Sequence, residues 1–331
     1  MKVLAISHLP HKKFSARLHL GFLQMLQEYC EYRFISGQEV LDDPSKFAQT
    51  CRREKPDIII LYDSHAPRGR ETLFPHNFFT NIPCKKVMIE VDFWKKSGAK
   101  GHPQKPKWGG LSWYSSNKFD LIIRRGCFNG ASSVLGIPSV WLPFAASDEF
   151  YPSARRKIQK VGFAGAYKYR KNMTSEIVAY AQRRKAIKQL SDVGLLDRCK
   201  KCRTLEGSRN IYPRFLRNHV LGLTSAEVRS IHAKAFEIMA SGAVLLTPPF
   251  KYSQTLFGSK QCYVEYQPDC SNIVERTFDI LGNLQKQKQI AENAVNIINE
   301  RHRSHHRIAE LYNHLERLMC GQEIINVWEK P

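Results

Sequence analysis

The sequence predicts an α/β protein made of two doubly wound domains, and three observations carry that expectation. The chain has 331 residues, more than a single hydrophobic core usually fills, so two domains of roughly 150 residues each are expected. Apolar runs of strand length alternate with helix-period stretches almost from the first residue, the pattern of parallel sheets built from βαβ units. A break at 142–152 that contains Pro143 and Pro152 interrupts this alternation, as a linker does.

In the first half, residues 2–6 (KVLAI) read as a strand, and Ser15 is placed to cap a helix reaching to about Cys30. A short strand at 32–36 follows, then a helix at 44–55 stopped by Pro56. Runs at 57–62, 86–91, 120–124 and 139–142 supply further buried strands. Beyond the linker come a strand at 160–164, a helix at 172–190, a strand at 219–224, a helix at 232–240 and a strand at 243–246. Helices at 271–281, stopped by Gly282, and along 285–319 close the chain. The expected domains are 1–145 and 146–318, with 319–331 as a tail. There is no internal repeat.

Lys and Arg number 51 against 30 Asp and Glu, a formal charge of +21. Such a field attracts polyanions, so nucleic acid, anionic membrane and phosphorylated substrates are the partner classes to test. The opening apolar run is short and broken by His8 and Pro10, which fits a first strand better than a signal peptide. No apolar run approaches the ~18 residues of a membrane span, and a cytoplasmic location is expected. Nine cysteines, odd in number and mostly scattered, read as reduced thiols. Cys199 and Cys202 form a CxxC that lacks a second pair or nearby histidines to complete a zinc site, and read as a polar turn. His302, His305 and His306 lie in a charged helical stretch and read as a solvated face. No metal site is expected.

In open parallel sheets ligands bind beyond the carboxyl ends of the strands, so the chemistry is sought in the loops there. The first strand of the second half runs into Gly162, Gly165, Lys168, Arg170 and Lys171. Glycines let backbone approach a phosphate, and nearby cations neutralise it. Further on, Ser230 is placed to cap a helix whose free N–H groups favour an anion. Lys234 and Glu237 lie one turn apart on that helix, a spacing equally suited to a surface ion pair.

These residues carry a resemblance. FEIMASGAVLL at 236–246 resembles the nucleotide-sugar segment of GT-B glycosyltransferases, closest to the branch related to spore-maturation glycosyltransferases. VGFAG at 161–165 with the following Arg170, LPFA at 142–145 and CYVEY at 262–266 resemble that branch in the same order. The likeness runs from 119 to about 318, and over 1–118 it is architectural only. It implies two Rossmann-like domains facing a central cleft and a hexosyltransferase that needs no metal or other cofactor. Its donor would be a UDP-sugar or another nucleotide-diphosphate sugar. Glu237 matches the glutamate that holds the donor ribose hydroxyls, a role suited to a double acceptor. Arg170 and Lys234 match positions that meet the diphosphate. Gly162, Gly165 and His232 complete the expected donor set. The sequence departs from the family pattern eight residues before Glu237, where many members carry another glutamate and Arg229 stands here.

Glycosyl transfer also needs a group to take the proton of the acceptor hydroxyl. Asp92, after the strand at 86–91, is the favoured catalytic base, and Asp63 with His65, after the strand at 57–62, are the alternatives. Acids at strand ends also cap helices, and Glu90-Val-Asp92 resembles the metal-binding triplet of the other large architecture, GT-A. Lys95, Lys96, Lys100, Lys105 and Lys107 follow Asp92 with no acid among them, interleaved with Trp94, Trp108 and Trp113, as phosphate contacts plus base stacking require. Residues 155–217 hold 18 Lys and Arg against four acids, a net of +14 that one bound donor does not require. The favoured acceptor is therefore a hydroxymethylated pyrimidine in DNA, glucosylated from UDP-glucose, by analogy with phage enzymes of this architecture. A lipid-linked, spore or cell-surface saccharide at an anionic membrane is the competing acceptor. A non-catalytic nucleic-acid-binding protein on a GT-B scaffold is the third reading. No obligate protein partner is expected.

Overall fold

A computed structural model describes residues 1–7, 21–63, 74–75, 77–90, 115–125, 133–134, 136–165, 178–199, 202, 210–224 and 231–328. The chain divides into two compact units, Met1–Pro143 with Arg307–Lys330, and Phe144–His306.

The first unit is built on strands β1 (Lys2–Ser7), β2 (Glu31–Ser36), β3 (Ile58–Asp63), β4 (Lys85–Glu90), β5 (Leu121–Arg124), β6 (Ser133–Val134) and β7 (Ile137–Trp141). They form one sheet in the order β2-β1-β3-β4-β5-β7-β6, with β6 antiparallel and every other pair parallel. Apolar residues on both faces of β1, β3, β4 and β5 suit strands covered on each side. Helices α1 (Gly37–Asp42) and α2 (Pro44–Glu54) pack Val40, Phe47 and Cys51 against Leu4, Ile6, Ile59, Leu61 and Met88. The start of α2 is set by Asp43, whose carboxylate accepts the Lys46 N–H at 2.9 Å, and by Pro44 in its first turn. Lys55 ends it in the left-handed region, φ 46°.

The second unit contains β8 (Ile158–Phe163), α3 (Val178–Asp192), β9 (Leu196–Arg198), α4 (Tyr212–Arg217), β10 (His219–Leu223), α5 (Ala233–Ala240), β11 (Val244–Thr247), α6 (Ser253–Phe257), β12 (Tyr263–Glu265), α7 (Ile273–Leu281) and α8 (Leu284–Arg301). Its five strands are parallel in the order β12-β11-β10-β8-β9. Gly222 in β10 leaves room for Ile238 of α5: a Cβ there would lie 2.6 Å from the isoleucine Cγ2. Gly242 ends α5 at φ +67°, where a Cβ would also meet Pro152 at 2.9 Å.

The final helix α9 (Ser304–Met319) carries the chain back to the first unit from Arg307 onward. The sequence reading keeps 307–318 in the second domain, because an amphipathic stripe does not tell which core it covers. The C-terminal segment docks through Trp328, whose indole N–H donates to Glu310 Oε1 at 2.6 Å. The Arg307 guanidinium stacks over the Trp328 ring at 4.4 Å, and Trp141 of β7 meets that ring edge-on at 6.3 Å.

His302 departs from the expected solvated face. It is fully buried, its Nε2 lies 2.7 Å from the Leu256 carbonyl, and its ring packs on Phe236 and Phe257. His305 is exposed and His306 half-buried. The cysteines of the CxxC also differ from the reading as reduced thiols on a polar turn, since Cys199 and Cys202 are joined as a disulfide and Cys202 is buried. Among the described residues no helix is long and apolar enough to cross a membrane.

Candidate active site

In the second sheet β8 lies between β9 and β10, so the chain leaves β8 to one side and returns on the other. The crevice at such a reversal, outside the carboxyl ends of the strands, is where open α/β sheets bind ligands. Gly165 follows β8 there, and α5 begins after β10.

These two segments meet. The Lys234 ammonium donates to the Ala164 carbonyl and lies 5.6 Å from the centre of the Phe163 ring. A Cβ on Gly165 would come within 2.8 Å of the Lys234 Nζ, so the absence of a side chain there leaves room for the lysine at the end of β8. His232 is the N-cap of α5, with an extended backbone (φ −90°, ψ 160°) and no side-chain cap bond. The Ser230 expected to cap this helix lies outside the described residues.

Glu237 sits one turn further along α5 and is only 2 % exposed. The Tyr212 hydroxyl of α4 donates to its Oε2 at 2.7 Å. Burial, and next the Glu237 charge, push the Tyr212 phenol well above its ordinary value, so the hydroxyl keeps its proton and remains a donor. Glu237 is thus a buried carboxylate oriented by a neutral phenol, not one half of a solvated surface pair. Tyr212 is the residue of this site that the sequence does not reveal. It stands 25 positions before Glu237 on a six-residue helix with Pro213 in its first turn, and no spacing links the two.

Gly162, expected among the donor residues, lies three residues before Gly165 inside β8, where a Cβ would meet the His219 and Phe215 rings at 3.0 Å. Its position is explained by packing within the sheet. A cavity of about 560 Å³ opens near it, lined by Ile158, Asp197, Phe215 and His219. Ile158 and His219 are the first residues of β8 and β10, so this cavity is at the amino ends of those strands. His219 is buried between the Phe215 carbonyl, 2.8 Å from Nδ1, and Asp197 Oδ2, 3.2 Å from Nε2.

The end of α5 is fixed by Lys157, whose ammonium donates to the Ser241 carbonyl at 3.3 Å and to that of Gly242. Burial lowers this lysine to about 8. Cationic caps on terminal carbonyls offset the helix dipole and hold the helix in place.

On the first sheet, β1 lies between β2 and β3, so the corresponding reversal falls between β1 and β3. Asp63 is the last residue of β3 and pairs in register with Glu90 of β4, which pairs with Arg124 of β5. Glu90, Arg124 and Arg125 are all buried at this edge, and Arg125 donates to the Tyr62 hydroxyl at 3.4 Å. Asp92, His65, Arg170, Arg229, the tryptophans Trp94, Trp108 and Trp113, and Lys95, Lys96, Lys100, Lys105 and Lys107 lie outside the described residues.

Residues 196–313, which include Tyr212, Lys234 and Glu237, match a family model described as glycosyl transferase-like. No curated protein sequence matches the chain. Among solved structures, sucrose-phosphate synthase from Thermosynechococcus elongatus superposes with a TM-score of 0.64 at 10 % identity, over 97 % of this chain and 100 % of that one. An α-glucosyltransferase in complex with UDP and a 13-mer DNA containing an HMU base gives 0.61 at 10 % identity, over 97 % and 99 % of the two chains. The Anabaena protein HepE in complex with UDP gives 0.60 at 12 % identity, over 96 % and 100 %. The chain has the GT-B fold. The matched segment includes α4 and α5, on one side of the crevice of the second sheet, and the match supports a glycosyltransferase.

Proposed function

We propose that this protein transfers a hexose, glucose in the favoured case, from a UDP-sugar to the hydroxyl of a hydroxymethylated pyrimidine in DNA. The observation that carries the donor half is the convergence of Gly165, Lys234 and the buried Glu237 at the chain reversal of the second sheet. Glu237, oriented by Tyr212, accepts the ribose hydroxyls. Lys234 and Arg170 face the diphosphate. As the bond from the sugar carbon to the phosphate oxygen breaks, negative charge gathers on the departing nucleotide, and fixed cations stabilise it most at that moment. This role needs no metal ion. Asp92 takes the proton of the acceptor hydroxyl as the sugar carbon becomes electrophilic, with Asp63 and His65 as the groups that replace it if it is not the base.

Two findings support DNA as the acceptor. The charge of +21 includes a net of +14 over 155–217, and a structural neighbour of the same fold binds UDP together with DNA carrying an HMU base. A hydroxymethyl group supplies the alcohol nucleophile that an unmodified pyrimidine lacks, and the target base must leave the stack to reach it. Lys95, Lys96, Lys100, Lys105 and Lys107 supply phosphate contacts.

The test is incubation of the protein with radiolabelled UDP-glucose and matched duplexes with and without hydroxymethylated pyrimidines, beside anionic vesicles carrying a lipid-linked saccharide. Label on the hydroxymethylated duplex alone is expected. Label only on the saccharide would overturn the DNA acceptor and leave the donor site standing, whereas no release of UDP with any of these acceptors would overturn both.

A further inference from the structure

We propose that Cys199 and Cys202 form a thiol–disulfide exchange site, with low-molecular-weight disulfides of the glutathione class as its substrates. The pair closes β9, the edge strand of the second sheet, and four observations point to exchange chemistry. The first is reach: the two Cα atoms are 5.7 Å apart, within the span a disulfide bridges, so the dithiol and the disulfide need no large backbone movement to interconvert.

The second is an asymmetry of access. Cys199 is half-buried and Cys202 is only 7 % exposed. An incoming disulfide meets the first sulfur, and the second is held behind it to resolve the mixed disulfide. The third is charge. In the sequence Arg198-Cys-Lys-Lys-Cys-Arg203, four cationic residues flank and separate the two cysteines with no acid between them. Positive surroundings favour the thiolate, which is the nucleophile.

The fourth is contrast with other cysteines. Burial pushes the thiols of Cys51 and Cys262 up to about 12 and that of Cys84 to about 11, and raises those of Cys30 and Cys270 as well. Burial thus disfavours the thiolate at each of these positions, while Cys320 is an exposed single thiol. Among the described residues, Cys199 and Cys202 are the pair joined as a disulfide.

The base of the site is anchored. The Cys199 N–H donates to the Phe163 carbonyl at 3.0 Å, continuing the pairing of β9 with β8. Asp197, two residues earlier, is held by Lys160 at 3.3 Å and His219 at 3.2 Å. The attacking cysteine therefore extends from a fixed strand.

The exchange balances in two steps. The Cys199 thiolate attacks one sulfur of glutathione disulfide; that S–S bond breaks, and one glutathione leaves as a thiolate that takes a proton from solvent. Cys202 then gives up its proton and attacks the Cys199 sulfur, expelling the second glutathione. The protein dithiol is oxidised by two electrons and glutathione disulfide is reduced to two thiols. Excess reduced glutathione runs both steps backwards.

The test uses the full chain, reduced, desalted and incubated with glutathione disulfide, then quenched in acid, alkylated and mapped by peptide mass. The expected result is that Cys199 and Cys202 lose their free thiols about tenfold faster than Cys320 and end joined to each other. Cys202→Ser should instead accumulate glutathione on Cys199, and Cys199→Ser should leave Cys202 as a thiol. Alkylation of both cysteines as thiols at times when Cys320 carries glutathione would overturn the proposal, as would the same product pattern in both serine variants. The wild-type measurement decides by itself if a variant does not fold. Because the readout is thiol oxidation, its outcome is independent of the proposed sugar transfer.

Discussion

The carboxyl edges of the two sheets bury charge in different ways. In the second sheet the buried carboxylate of Glu237 faces a neutral phenol, and Lys234 reaches back to the end of the neighbouring strand. In the first, Glu90, Arg124 and Arg125 crowd adjacent strand ends, and the returning C-terminal segment adds Arg307 and Glu310. Desolvating an ion is costly unless partners surround it. In the second arrangement Glu237 and Lys234 are each held by a short hydrogen bond, which preorganises their charges. The first spreads its charges over a network that ties a distant part of the chain to its sheet.

The largest effect is expected at the acceptor side. Asp92→Asn is expected to lower transfer by about 10²- to 10⁴-fold while nucleoside diphosphate affinity, which the proposed function assigns to the other unit, stays unchanged. A variant with full activity would move the base to Asp63 or His65.

Next in size is the network itself. Glu310 accepts from both Arg307 and the Trp328 indole, so Glu310→Ala should destabilise the first unit by about 3 kcal/mol, and Glu310→Gln, which keeps an acceptor, by less. Denaturant unfolding of the two variants checks this, and equal stability of Glu310→Ala and the wild type would show that the C-terminal segment is not held by this residue.

Lys234→Ala and Arg170→Ala should each lower turnover on the order of 10²-fold with a smaller change in KM, because the charge they meet grows as the bond breaks. Steady-state kinetics at saturating donor separate the two parameters. A change confined to KM would make these residues ground-state binders only.

The smallest effect is a pH dependence confined to the first unit. His314 is buried, 4.0 Å from Glu310, and burial first, then Arg317, lower its pKa from 6.5 to about 4. Between those values the unfolded chain takes a proton that the folded chain refuses, so stability falls as pH falls from 6.5 to 4 and this contribution levels off below. The expected loss is on the order of 2 to 3 kcal/mol. His314→Gln should flatten that part of the stability curve, and an unchanged curve would assign the slope to other groups.

Much of this architecture is legible in the chain because periodicity reports burial. The strands at 57–62, 86–91 and 219–224 and the helix ended by Gly242 all lie within one or two residues of their expected bounds. Other features leave no such signal. Strand β9 is three residues, Leu-Asp-Arg, held by its pairing with β8 and by the ion pair of Asp197 with Lys160, and α4 carries a proline in its first turn. Glu237 and Lys234 stand out in the sequence because their motif is local, whereas the Tyr212 contact to Glu237 is made by the fold. The burial of Arg124, Arg125 and Arg307 runs against the usual exposure of arginine and depends on partners that only the packed structure assembles.

The central claim is that Glu237, held by Tyr212, forms the nucleotide end of a donor site. It is tested most directly by calorimetric titration of UDP into the wild type and Glu237→Gln. The amide oxygen still accepts from the Tyr212 hydroxyl, so the fold is kept, while the charged double acceptor for ribose is lost. The predicted result is a Kd raised roughly 5- to 100-fold, a loss of about 1 to 3 kcal/mol, with an unchanged unfolding midpoint. An unchanged Kd with the same midpoint would contradict the account and move the nucleotide away from this end of the second sheet.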